Sequence, residues 1–171
     1  MFWNRRKRLK GLTLGIVFSS VGSSEYNKKH PNDEESSSGF SFCDLLVPVI
    51  LDAGGLPIEL SKEHLAVLQN GNTKDACTTA PQAHLFLFGE LYHGIYNNTG
   101  VAYVRVTCRC LTRNGTIVGG GSFFDNTYAQ TLEPMAKRIL SLIYVENLGP
   151  LELSGYQEKL FQNGEVASVV E

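Results

Sequence analysis

Polar and apolar positions along this chain follow three kinds of pattern: alternation by two, recurrence at helical spacing, and one long stretch with almost nothing to bury. Alternation is cleanest between residues 84 and 124. HLFLFGELYHGIY reads as a strand that is apolar on both sides at its start, which suits a central place in a sheet. A turn at NNTG leads into VAYVRVTCRCL. There Ala102, Val104, Val106, Cys108 and Cys110 share one face, and Tyr103, Arg105, Thr107 and Arg109 share the other. Arg113-Asn114-Gly115 is a hairpin signal, and TIVGGGSFF is the return strand, its glycine triplet allowing a bulge or the close approach of another backbone. These three segments predict an antiparallel meander. Leu12, Leu14, Ile16 and Phe18 also alternate, with Thr13, Gly15, Val17 and Ser19 between them, and predict a further strand.

Helical spacing governs three other segments. Leu45, Leu46, Val49 and Ile50 share a helical face after Ser41 as a cap, with Gly54-Gly55 as the stop. Pro48 removes a donor within that segment, so a strand LLVPVIL competes with the helix. LPIEL reads as a short strand. Ser61 then caps KEHLAVLQ, with Leu65 and Leu68 inward and Gly71 closing it, and NGNTKDACTTAP reads as loop. Thr131 is placed to cap a helix running to Val145, with Pro134 in the first turn and Leu132, Met135, Ala136, Ile139, Leu140 and Ile143 inward. EVASVV, near the end, predicts an edge strand or a packed arm.

Residues 22–39, GSSEYNKKHPNDEESSSG, are rich in serine, asparagine and charge, and read as a polar loop or linker. The expected organisation is therefore a leader with an apolar stretch over 1–21, that linker over 22–39, a globular domain over 40–145 and an extension over 146–171. The fold class is α+β: a small, mostly antiparallel sheet with the meander at about 84–124 and helices packed on one face.

Charge changes this picture at one end only. The 171 residues carry 15 Lys and Arg against 17 Asp and Glu, a formal charge of −2. Arg5, Arg6, Lys7, Arg8 and Lys10 place five of those bases in the first ten residues, where there is no acid, so the remainder stands at −7. An acidic body disfavours nucleic acid as a partner, because tracking phosphates needs cations gathered on one folded face. The basic leader followed by GLTLGIVFSSV fits the start of a secretion signal, a membrane-surface anchor in which Phe2 and Trp3 meet lipid beside Arg5, Arg6, Lys7 and Arg8, or a solvated leader before a strand. The corresponding places of work are the periplasm or a membrane surface, with the cytoplasm as the alternative.

Candidate chemistry is sparse. His30, His64, His84 and His93 show no metal or catalytic spacing, and HExxH, GxSxG, GxxxxGK[ST] and paired CxxC motifs are absent. No catalytic residue, cofactor or metal ligand is assigned. Cys108 and Cys110, two apart on an apolar strand face, are expected to be buried thiols, and a Cys43–Cys77 bridge is the alternative for an exported protein. The glycine triplet at 119–121 has a second reading as an anion cradle, but no helix start follows it. Phe86, Phe88, Tyr92, Tyr96 and Tyr103 crowd neighbouring strands. They would lie under a helix or, with arginine among them, form an interface. Tyr92, Tyr96, Tyr103, Arg105 and Arg109 are the candidate partner-binding residues. A polar pocket built from Glu90, His93, Arg105 and Asp125 is the competing reading, for a small-ligand-binding or enzymatic domain.

The segments LTLGIVFSS, LVPVILDAGGLPIEL, HLFLFGELYHG and VAYVRVTCRCLTRNGTIVGGGSF, taken in order over about residues 10–145, resemble the small α/β accessory proteins of the bacterial envelope. These are the outer-membrane lipoproteins that activate penicillin-binding proteins and the related curli-secretion-type and YajG-like lipoproteins. The chain departs from them in having no lipobox cysteine after its first apolar stretch. The resemblance implies a non-catalytic binding or assembly module of an envelope complex, with protein partners; assembly of the chain with itself through its sheet edge or closing helix is a separate, weaker expectation.

Overall fold

The computed structural model describes residues 8–29, 35–125, 128–146 and 148–149. Five strands form one sheet: β1 (Thr13–Gly22), β2 (Leu56–Glu59), β3 (Leu85–Ile95), β4 (Ala102–Thr112) and β5 (Ile117–Asp125), in the order β2-β1-β3-β4-β5. Five helices accompany them: α1 (Ser24–Lys29), α2 (Glu35–Asp52), α3 (Lys62–Gln69), α4 (Thr73–Thr79) and α5 (Tyr128–Ser141). The class is α+β, as the patterning predicts. The meander β3-β4-β5 is antiparallel, Phe88 opposite Arg109 and Thr107 opposite Ser122. β1, however, runs parallel to both β2 and β3, so the sheet is mixed rather than mostly antiparallel.

That parallel arrangement also explains why helices lie on both faces instead of one. Parallel neighbours need crossover connections, and such crossovers are right-handed. The step from β1 out to β2 and the step from β2 back past β1 to β3 move in opposite directions along the sheet. Right-handedness therefore puts α2 on one face and α3 with α4 on the other. Helix length then decides how much of each face is covered. With a rise of about 1.5 Å per residue, the 18-residue α2 spans about 27 Å, while α3 and α4 reach only about 12 Å and 10 Å.

On the first face, Phe42, Leu46 and Ile50 of α2 and Met135, Ala136, Ile139 and Leu140 of α5 close over Leu14, Ile16, Phe18, Leu87, Val104 and Val106. Phe18 meets Phe42 edge-on at 5.0 Å. The second face is packed only at one end, where Leu65 and Leu68 of α3 and Ala76 and Cys77 of α4 cover Val17, Phe86, Phe88 and Leu111.

Several local expectations are corrected. The segment around Pro48 is helical, and α2 begins at Glu35, so Ser41 lies inside it. Pro48 is tolerated because it sits on the exposed side, while Phe42, Leu46 and Ile50 hold the inner side against the sheet. The polar stretch 22–39, read as a loop, contains α1, whose Tyr26 is buried and stacks on His93 at 5.1 Å. NGNTKDACTTAP, also read as loop, holds α4: Asn72 accepts the Asp75 N–H at its start, and Ala76 and Cys77 are buried beneath. α5 starts at Tyr128, so Thr131 is not its cap and Pro134 is not in its first turn. Ser61 does cap α3, with the His64 ring accepting the Ser61 N–H in return. EVASVV lies outside the described residues.

The apolar stretch that could equally have followed a signal's basic end is β1, paired on both sides. Leu9 is fully buried beside it. Arg8, expected at a membrane surface, instead donates to the carbonyls of Leu140 and Ser141, where the C-terminal end of α5 presents unsatisfied oxygens. Phe2, Trp3, Arg5, Arg6 and Lys7 lie outside the described residues. Among the described residues no helix is long and apolar enough to cross a membrane.

The glycine triplet serves packing. A Cβ on Gly119 would come within 3.0 Å of Ile143 and within 3.3 Å of the Leu142 carbonyl oxygen, where the chain after α5 crosses β5 and Tyr144 donates to the Val118 carbonyl. This is the close backbone approach that the triplet predicts.

Candidate functional site

Because α3 and α4 are short, no described element covers the second face across β3, β4 and β5 beyond Phe88. Alternation along β4 puts Tyr103, Arg105, Thr107 and Arg109 on that side, and register sets Tyr92 opposite Arg105, Glu90 opposite Thr107 and Gly94 opposite Tyr103. The five candidate residues are therefore brought together on one surface. Tyr103 packs against both other tyrosines, its ring centroid 4.6 Å from Tyr96 and 6.2 Å from Tyr92. The ring lies across Gly94, where a Cβ would come within 2.3 Å of it, so glycine at this position is what lets the tyrosine lie flat on the sheet.

The two arginines are held by rings rather than by acids. Arg105 lies over Tyr92 at 4.9 Å and Arg109 over Phe88 at 5.7 Å, both within cation–π range. Among the described residues neither has an ion pair. Arg105, Thr107, Arg109 and Ser122 are exposed, and Tyr92, Tyr103 and Glu90 are half-buried. Phe86 and Phe88, from the same aromatic stripe, lie under α3 and α4. The two readings of that stripe thus apply to its two ends.

The competing polar pocket does not assemble. Glu90 and Arg105 are on the open face, whereas His93 is on the opposite one, buried, with its Nε2 2.8 Å from the Ser20 hydroxyl. Asp125 pairs in register with Val104, a position of the covered face. The odd–even alternation of strands separates these residues, which no inspection of composition would show.

His84 and the cysteines serve the fold, and His30 lies outside the described residues. His84 Nδ1 accepts the Thr13 N–H at 2.9 Å, and burial together with the Arg113 charge lowers its pKa. All four cysteines are buried and free. Cys43 belongs to the core on the first face and Cys77 to that on the second, so the sheet stands between them and the Cys43–Cys77 bridge is ruled out. Burial pushes the Cys43 thiol up to about 12 and Cys108 to about 11, and raises Cys77 and Cys110 as well. These are inert core thiols.

Two concavities lie elsewhere. One of about 450 Å³ between α3 and α4 is bordered by Ser61, His64 and Asp75, but Ser61 and His64 are already committed to each other in the helix cap. The other, of about 920 Å³, runs between α2 and α5 and is lined by Leu45, Val49, Asp52, Lys137 and Tyr144 among others. Of its charged lining, Lys137 pairs with Glu133 and Arg8 donates to the end of α5.

No family model matches this sequence, and no curated protein matches it. Among solved structures, PelC from Paraburkholderia phytofirmans, crystallised as a dodecamer, is 12% identical, with a TM-score of 0.45 over 79% of this chain and 90% of that one. A point variant of the same PelC gives 15% identity and a TM-score of 0.43 over 77% and 84%. Lipoprotein GNA1162 from Neisseria meningitidis is 13% identical, with a TM-score of 0.45 over 75% and 93%. None is near enough to carry a function over.

Proposed function

We propose that this chain is a non-catalytic protein-binding or assembly module, an accessory part of a bacterial cell-envelope complex, and that it docks its partner on the open part of the second sheet face. One observation carries the reading. Two exposed guanidinium groups, each stacked on a ring and neither paired with an acid among the described residues, stand beside Tyr103 packed between Tyr92 and Tyr96, on a sheet surface that the neighbouring helices are too short to cover. Tyrosine and arginine are enriched among the side chains that dominate binding energy at protein interfaces, tyrosine because it buries a large area with two rotors and arginine because its planar donor fork loses less freedom per hydrogen bond. A solvated sheet face needs neither. An envelope setting is supported by the basic leader and by the resemblance in the order of elements, including the activator and YajG-like types. The periplasm or a membrane surface is the proposed location, with Phe2, Trp3, Arg5, Arg6 and Lys7 as the membrane-contacting residues.

The test is capture of envelope proteins by tagged full-length chain. Arg105→Glu with Arg109→Glu is expected to abolish capture while leaving the melting temperature nearly unchanged. Capture that survives the double reversal would contradict the assignment of the face.

A further inference from the structure

Resting on that docking reading, we infer that the occupant of the open face is a second copy of this chain, presenting the outer side of α2. The inner side of α2 is consumed by the core through Phe42, Leu46 and Ile50. Its outer side shows Asp44, Pro48, Leu51 and Asp52, all exposed, with Leu51 at 53% one of the most exposed large apolar side chains. Neither Asp44 nor Asp52 has an ion pair among the described residues. Lys137 is engaged with Glu133 and Arg8 with the end of α5, while the exposed Lys10, whose backbone packs against Gly54, makes no ion pair with either acid among the described residues.

The two surfaces match in charge and in spacing. Asp44 and Asp52 are eight residues apart on a helix, about 12 Å along its axis. Arg105 and Arg109 are four apart on a strand, about 13 Å. Helices lie nearly along strands when they cover a sheet, so both acids meet both bases at once. Glu90, opposite Thr107 midway between the arginines, then faces Pro48, which carries no charge. The order base–acid–base on the sheet thus meets acid–neutral–acid on the helix, and Leu51 supplies the apolar contact for the tyrosines. Such an interface completes the layer that α3 and α4 leave unfinished.

In one molecule α2 and the open face lie on opposite sides of the sheet. The contact is therefore head-to-tail: each copy gives one surface and receives with the other, and repetition makes a closed ring or a filament.

Sedimentation velocity on the full chain tests this with two charge reversals. The wild type is expected to assemble. Arg105→Glu with Arg109→Glu, and separately Asp44→Arg with Asp52→Arg, are each expected to weaken self-association by at least about tenfold. The first variant is then acidic on both surfaces and the second basic on both. Like charge keeps wild type and either variant apart at one junction, whereas the two variants mixed in equal amounts are expected to co-assemble through both junctions, the intact α2 of the first on the intact face of the second and the reversed pair on each other. All four reversals in one chain restore assembly. Assembly unaffected by either double reversal, or a four-fold variant that stays monomeric at a wild-type melting temperature, would overturn the proposal. A wild type that is monomeric throughout, while Arg105→Glu with Arg109→Glu still abolishes envelope-protein capture, would leave the docking face standing and overturn the second copy as its occupant.

Discussion

The two faces of one sheet differ in how they are finished. The first is closed from end to end by an 18-residue helix and by α5, and its residues are almost without exception apolar. Among the described residues the second is closed only where two helices of eight and seven residues reach, and beyond them it turns to tyrosine, arginine, threonine and serine. A covered face is about stability. A face left open yet lined with stacked arginine and tyrosine is, on the function proposed above, for contact with a partner. The contrast predicts that substitutions on the first face cost folding energy and those on the open part of the second cost binding.

The largest expected effect lies on the covered face. Leu87 is fully buried there, and Leu87→Ala is expected to lower stability by about 3 kcal/mol, against less than about 0.5 kcal/mol for Thr107→Ala on the open face. Chemical denaturation of both variants checks the difference, and comparable losses would break the comparison.

Alkaline pH sharpens it next. The thiols of Cys43 and Cys108 are held protonated in the fold by burial, their pKa values pushed to about 12 and about 11. An unfolded thiol loses its proton near pH 8.5, at about that value the unfolded chain starts to bind fewer protons than the folded one, and stability then falls as pH rises. Stability from this source is fully present below about pH 8 and declines towards about pH 11. Urea midpoints at pH 7.5 and pH 10 report it, and Cys43→Ala should flatten the slope. In native protein at neutral pH none of the four thiols should react with an aromatic disulfide reagent, and all four should react in denaturant.

A smaller effect is expected at Gly94. Gly94→Val lifts the Tyr103 ring from the sheet, changing the near-ultraviolet tyrosine signal and the binding of partner, at a stability cost of about 1 kcal/mol. The smallest belongs to Arg105→Glu with Arg109→Glu: exposed and without an acidic partner among the described residues, these side chains should shift folding stability by no more than about 0.5 kcal/mol.

How much of this was legible before the fold was known depends on the range of the interaction. The alternation in VAYVRVTCRCL assigns every residue of β4 to its face, and with it Tyr103, Arg105 and Arg109 to a common surface, because strand geometry is local. Tyr92 joins them only through the register of β3 on β4. Helices on both faces follow from the directions of two crossovers, which depend on β1 pairing in parallel between β2 and β3 and leave no local mark. α4 was missed for a different reason: its seven residues bury little, although the pairing of Asn72 with Asp75 at its start was readable as a cap. The pocket imagined from Glu90, His93, Arg105 and Asp125 failed because His93 follows Tyr92 by one residue, and one residue in a strand reverses the face.

The open face is tested most directly by a photo-cross-linking phenylalanine analogue placed at position 103 in living cells, with the same analogue at the exposed Gln69 of α3 as the control. The expected result is a discrete cross-linked protein species from position 103, none from position 69, and loss of that species when Arg105 and Arg109 are both reversed. Equal yields from the two positions, or no cross-link from position 103 in folded protein, would contradict a docking role for this face.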